Sequence, residues 1–178
     1  MTTAEYNHLI EIVRLTKDDR VELLNGEIVE KVRISPRHAA CVKRLSHALW
    51  RRKADKLAII SVQHPLELAP YSELEPDLAL LKRRADYYAE AYPTAKDVLL
   101  AVEVADTTIV KDREVKLPIY ARAGIQEAWL VDLNRDILEI QRAPHLGVYQ
   151  EIVSISRGQQ FVSPALPHFK FNANELFV

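Results

Sequence analysis

The stretch Asp97-Val-Leu-Leu-Ala-Val-Glu103-Val-Ala105 decides the fold, together with two later segments: Asp112-Arg-Glu-Val-Lys116-Leu-Pro-Ile-Tyr-Ala-Arg-Ala-Gly124 and then Gln126-Glu-Ala-Trp-Leu-Val-Asp132. The first run is the most apolar in the chain and predicts a central strand. Thr107 or Thr108 can cap a helix that continues to about Ala123 and stops at Gly124. Gln126 to Asp132 predicts a second strand. A helix crossing between two strands points to an α/β fold, with a sheet that needs cover on both faces.

The same reading extends in both directions. Upstream, Thr3 to Leu15 carries Tyr6, Leu9, Ile10 and Val13 at helical spacing behind Thr2 or Thr3 as cap. Asn25-Gly26 lies between two apolar runs from Arg20 to Arg33, which predicts a β-hairpin because both turn residues need positive φ. Ser35-Pro36 opens a helix with Cys41, Val42, Leu45, Ala48 and Leu49 as its apolar stripe, up to about Lys53. Strands are expected at Leu57–Val62, Leu66–Leu68 and Asp77–Leu81. Downstream, strands are expected at Asp136–Arg142, Val148–Ile155 and near Phe161, with a short closing helix at Asn172–Phe177. The prediction is a mixed β-sheet flanked by helices, with an N-terminal helix and β-hairpin.

Bulk composition narrows the function classes. The chain has 178 residues with 48% hydrophobic and 28% charged, so we expect a single domain over 1–178 with a substantial core. Its formal net charge of −1 gives no bulk attraction for nucleic acid, and any such site must be a local patch. Cys41 is the one cysteine, which excludes an internal disulfide and a cysteine-based zinc site. No stretch approaches the ~20 apolar residues that span a bilayer, and a cytoplasmic location is expected.

Two strand-borne carboxylates stand out. Glu103 is the only polar residue from Leu99 to Ala105, and strand alternation places Leu99, Ala101, Glu103 and Ala105 on one face. Asp77 shares a face with Ala79. Small neighbours leave room around both groups, and two carboxylates on neighbouring strands suit one hard cation such as magnesium. Asp112, Lys116 and Tyr120 come next at i, i+4 and i+8 on one helix face, although Pro118 strains that helix if it lies in the interior. Lys116 is then placed either to act on a water or scissile phosphate, or simply to pair with Asp112. Arg44, His47, Arg51, Arg52 and Lys56 make one helix basic, and Lys82-Arg-Arg84 is a second basic run. Each is either solvated surface or a phosphate-tracking patch. Trp50 and Trp129 read as core, and the histidines show no zinc spacing.

Five segments in order carry a resemblance: Glu22-Leu-Leu-Asn-Gly-Glu27, Ser35-Pro-Arg-His38, Glu75-Pro-Asp77-Leu-Ala-Leu, Val102-Glu103-Val-Ala-Asp106, and Asp112 through Asp132. Together they resemble the Uma-two family of restriction endonucleases, a branch of the PD-(D/E)XK nuclease superfamily. The resemblance implies a restriction-endonuclease-like core, a phosphodiesterase site using magnesium (manganese as substitute), DNA more than RNA as partner, and a homodimer. Asp77 matches the Asp of the Pro-Asp motif and Glu103 the acidic residue of the (D/E)XK element, both as metal ligands. The lysine of that element is absent, because Ala105 stands there. The resemblance places a migrated lysine at Lys116. Glu22 and His38 match supporting positions, as do Asp112 and Tyr120 on the helix. The alternative is a nuclease-fold protein that binds DNA or a partner with little or no turnover.

Overall fold

A computed structural model of the chain describes residues 1–13, 20–68 and 70–177. Helix α1 (Thr3–Val13) starts with a reciprocal cap: Thr2 Oγ1 accepts from Glu5 N, and Glu5 Oε2 accepts from Thr2 N. The last two residues expected in that helix, Arg14 and Leu15, lie outside the described residues. Asn25 and Gly26 both take positive φ and join β1 (Val21–Leu24) to β2 (Glu27–Glu30), as the turn chemistry demands. Helix α2 (Pro36–Arg51) is capped by Ser35, whose Oγ accepts from His38 N at 3.1 Å.

The strands form two larger sheets. The main one contains β3 (Ile59–Ser61), β6 (Leu78–Leu81), β7 (Val98–Ala105), β8 (Glu127–Asp132), β9 (Ile137–His145) and β10 (Val148–Ser156), in the order β10-β9-β8-β7-β6-β3. Only β7 and β8 pair in parallel, across the helical crossover, and the other neighbours are antiparallel, so the sheet is mixed. The second sheet joins the hairpin to β4 (Leu66–Leu68) and β5 (Ser72–Leu74), in the order β2-β1-β5-β4. Strand β5 was not expected. It holds only Ser-Glu-Leu, too short for alternation to register.

Two apolar clusters cover the main sheet's faces. Leu78, Leu80, Leu100, Val102 and Trp129 pack beneath α2, while Ala79, Ala101, Ala105, Ala128 and Leu130 lie beneath the crossover. Leu99 does not share the face of Ala101, contrary to expectation. The β6–β7 register shifts there, pairing Leu80 with Leu100 but Leu81 with Val98, so Leu99 is the extra residue of a bulge and turns towards the α2 side.

The crossover runs without a break through α3 (Ile109–Lys111), a π turn (Asp112–Lys116) and α4 (Leu117–Ala123). Leu117 N bonds to Asp112 O, five residues back. The wider turn absorbs Pro118, which has no N–H for the regular ladder, so the expected strain is released just upstream of it. Gly124 ends the helix at φ 84°.

At the C-terminus, β11 (Gln160–Ser163) pairs with β12 (Leu166–Asn172). The expected closing helix is instead the end of β12 followed by one turn at Ala173–Glu175, closed by an Asn172–Glu175 capping box. Phe161 and Phe171 meet the buried Trp129 edge-on at 5.4 and 5.8 Å between centroids. Trp50 is not core: it is 56% exposed near the end of α2. Among the described residues, no helix is long and apolar enough to cross a membrane.

Candidate active site

The β6–β7 register brings the two carboxylates together. Leu78 pairs with Val102, so in an antiparallel ladder Asp77 falls opposite Glu103. Asp77 sits just before β6, free of the ladder, and is anchored by three donors. Its Oδ2 accepts from Val104 N at 2.8 Å and lies 3.0 Å from His38 Nε2, and its Oδ1 accepts from Gln63 Nε2 at 3.2 Å. The Ser35 cap fixes the first turn of α2 and so sets His38 over Asp77. Ser35 Oγ in turn donates to Asp106 Oδ2 at 2.6 Å. Burial alone would lower the pKa of His38, but the hydrogen bond and charge of Asp77 outweigh it and hold the imidazole above its ordinary value.

Glu103 is 2% exposed. Its Oε1 accepts from the Tyr120 hydroxyl at 2.5 Å, and the Lys116 ammonium lies 3.2 Å away. Lys116 also meets Glu22 Oε1 at 3.0 Å, and Lys111 approaches Glu22 Oε2 at 3.5 Å. Glu22 Oε1 further accepts from Glu75 N at 2.9 Å, which ties β1 to the residue after β5, while Lys116 bridges the hairpin sheet's Glu22 to the main sheet's Glu103. Burial pushes the Glu103 carboxyl well above its usual range, with Lys116 opposing and Asp112, Asp77 and Glu22 reinforcing the rise. Burial works against the Lys116 cation too, yet Glu103, Glu22 and Asp112 overcome it and keep the ammonium charged. Asp112 is raised by burial, against Lys116 and a hydrogen bond from Thr108.

These groups line a cavity of about 610 Å³ whose walls carry seven carboxylates (Glu22, Glu73, Glu75, Asp77, Glu103, Asp106, Asp112) against five Lys and Arg side chains. Tyr120 does not reach the cavity. It is fully buried behind Glu103 and orients that carboxylate from the rear.

All seven residues expected from the sequence thus converge: Glu22, His38, Asp77, Glu103, Asp112, Lys116 and Tyr120. Lys116 does not simply pair with Asp112, since its ammonium contacts Glu103 and Glu22. The alanine at 105 has a physical reason. It is fully buried beneath the crossover, in the cluster that holds Leu117 and Tyr120, where a lysine side chain has no space. The Lys116 ammonium reaches Glu103 from the π turn.

A model of the Uma-two family, described as "Putative restriction endonuclease", matches residues 3–174. The chain belongs to this family. A crystal structure described as "a putative nuclease belonging to DUF820", from Anabaena variabilis ATCC 29413, is similar to it with a TM-score of 0.74 at 17% identity, covering 95% of this chain and 96% of that one. At that identity the likeness establishes the fold. No curated protein matches the sequence.

Two residues of this Uma-two site escape sequence reasoning. Gln63 donates a hydrogen bond to Asp77, and Lys111 forms an ion pair with Glu22. Gln63 follows a short edge strand at φ 52°, and nothing in its local sequence marks it. Lys111 adjoins Asp112, but its direction depends on the π turn.

A divalent cation can be tested against the donors present. Among the described residues, no group of three or more His, Cys, Asp and Glu side chains is spaced to cage a metal. Magnesium rarely asks for a cage; it takes one or two carboxylates and keeps its waters. Hard oxygen donors from the start of β6 and from β7, in a cavity rich in carboxyl groups, fit that demand.

Proposed function

We propose that the protein is a metal-dependent endonuclease that hydrolyses phosphodiester bonds in nucleic acid, with DNA the favoured substrate. The observation that carries this reading is the convergence of Asp77, Glu103 and Lys116 on one cavity from three separate elements.

In this reading Asp77 and Glu103 hold magnesium or manganese. The bound ion supplies Lewis-acid neutralisation of the scissile phosphate and a more acidic water. His38, Gln63 and Val104 N hold the Asp77 carboxylate in one orientation, and Tyr120 does the same for Glu103. Lys116 stays protonated in its nest of carboxylates and presents positive charge where the pentavalent phosphorane gathers negative charge. In this reading it stands in for the lysine that the sequence lacks at Ala105. A homodimer, which cutting both strands of a duplex favours, belongs to the same reading and is measured by light scattering.

One observation favours a second reading. Both oxygens of Glu103 are already engaged by Lys116 and Tyr120, as a binding protein with little turnover would have them. Supercoiled plasmid with manganese separates the two. Nicking by the wild type that stops in EDTA and falls at least a hundredfold in Asp77→Asn supports hydrolysis. Binding without nicking, at any manganese concentration, supports the second reading.

A further inference from the structure

At the end of the main sheet away from Asp77, a second groove of about 730 Å³ has Trp50, Tyr87 and the three cations Lys56, Arg83 and Arg84 in its lining, against one carboxylate, Asp55. Trp50 is 56% exposed and Tyr87 69%, and Lys56, Arg83 and Arg84 are exposed beside them. Large aromatic faces left in water next to cations have an evident complement in unpaired bases on a phosphate backbone. Bases stack on such faces whatever their sequence, and the cations track the phosphates.

The groove is built. Tyr87 and Tyr88 both take positive φ, at 51° and 63°, a costly conformation for two successive bulky residues. The loop is held there by an Arg84–Asp86 ion pair, by the Arg84 guanidinium over the Tyr88 ring at 4.3 Å, and by Tyr88 Oη donating to Lys82 O at 2.9 Å. Arg83 Nη1 donates to Lys56 O at 2.9 Å and ties this loop to the one after α2. Tyr87 is therefore presented outward on a braced loop, which lowers the ordering cost of binding. A second copy of the chain fits poorly, because a two-fold contact would set the cations against themselves.

The groove's distance from the cavity follows from the elements that connect them. His38 and Trp50 lie at opposite ends of α2, about 18 Å apart along its axis at ~1.5 Å per residue. Asp77 and Arg83 are separated by about 20 Å of extended chain.

We infer that the Trp50–Tyr87 groove binds a single-stranded segment of nucleic acid about 20 Å from the Asp77–Glu103 cavity, as a second contact on the same substrate. This rests on the proposed nuclease reading for its biological sense, though not for its test.

The test is binding in EDTA, where cleavage is blocked. A fluorescent single-stranded oligonucleotide of about 20 nucleotides is titrated with the wild type, Trp50→Ala, Tyr87→Ala and Lys56→Gln. The expected result is about tenfold weaker binding for each aromatic variant. Lys56→Gln should flatten the slope of log K against log salt by about 0.7. Because Trp129 is buried, quenching of indole fluorescence on binding should vanish in Trp50→Ala. Both aromatic side chains are exposed, so the variants should melt with the wild type. Affinity within twofold of wild type in Trp50→Ala and Tyr87→Ala overturns the inference, as does equal weakening of duplex binding or equal quenching by heparin. Binding here, with no cleavage when manganese replaces EDTA, would contradict the proposed activity and leave this inference standing. Cleavage with unaltered binding in the variants would do the reverse.

Discussion

The Lys116 ammonium lies 3.2 Å from Glu103 Oε1, and it reaches that carboxylate from the π turn of the crossover rather than from the strand that carries Glu103. Both groups are almost wholly buried, so the pair is shielded from solvent and salt. Removing the cation leaves Glu22 and Glu103 facing one another without it. Lys116→Met should lower stability by about 3–5 kcal/mol at neutral pH, as loss of one partner of a buried pair does. Melting should recover towards acid pH as the carboxyls protonate. Calorimetric melting at pH 5 and 7.5 checks this. Lys116→Arg keeps the charge but not the fit, and should retain more stability than activity.

Tyr120 donates to Glu103 from behind, and donation to a carboxylate favours its ionised form. Tyr120→Phe removes the donor without changing the ring. It should raise the Glu103 pKa and move the acidic limb of the pH–cleavage profile to higher pH, with about 1 kcal/mol lost in stability. An unmoved acidic limb would mean that Glu103 does not govern it.

Glu73 lies in the same cavity with one carboxylate oxygen buried and unpartnered. Burial pushes its carboxyl up from 4.5 to about 7, against a hydrogen bond from Asn7 and with Glu67 and Glu75 adding to the rise. The folded protein therefore holds this proton more tightly than the unfolded chain. Its contribution to stability is full below the unfolded pKa and is lost as pH rises through about 7. Between pH 5 and 8 the loss should be on the order of 2–3 kcal/mol. Glu73→Gln should abolish most of that dependence, and denaturant midpoints across the range would show it.

Much of this arrangement was legible in the sequence, for identifiable reasons. A single carboxylate in an apolar run is costly to bury, and so Glu103 stands out from its neighbours in the chain alone. The Asn25-Gly26 turn and the Ser35 cap each have few alternative conformations. What could not be read depended on longer-range geometry. The bulge at Leu99 is visible only once β6 sets the register. The π turn is a response to Pro118 that a fixed helical period does not anticipate. Trp50 carries a core residue's chemistry, and only the end of α2 shows that it faces solvent. Arg44, Arg51 and Arg52, part of the basic helix, are engaged by Asn174 and Glu175 in the closing turn. They are not a free phosphate track.

Glu127 shows how the C-terminal strands are fastened. Buried at the start of β8, it accepts from Trp129 Nε1 at 2.7 Å, Ser163 Oγ at 2.5 Å and Ala165 N at 3.3 Å. Glu127→Ala leaves these donors without their acceptor. A loss of about 2–4 kcal/mol is expected, with faster amide exchange confined first to β11 and β12.

In the proposed site Asp77 and Glu103 together hold the divalent cation. Manganese binding followed by electron paramagnetic resonance tests it most directly, with wild type, Asp77→Asn and Glu103→Gln titrated side by side. The wild type should bind one ion per chain, with affinity weakened at least tenfold in each variant. Equal manganese affinity in all three proteins, or no binding by the wild type, would contradict it.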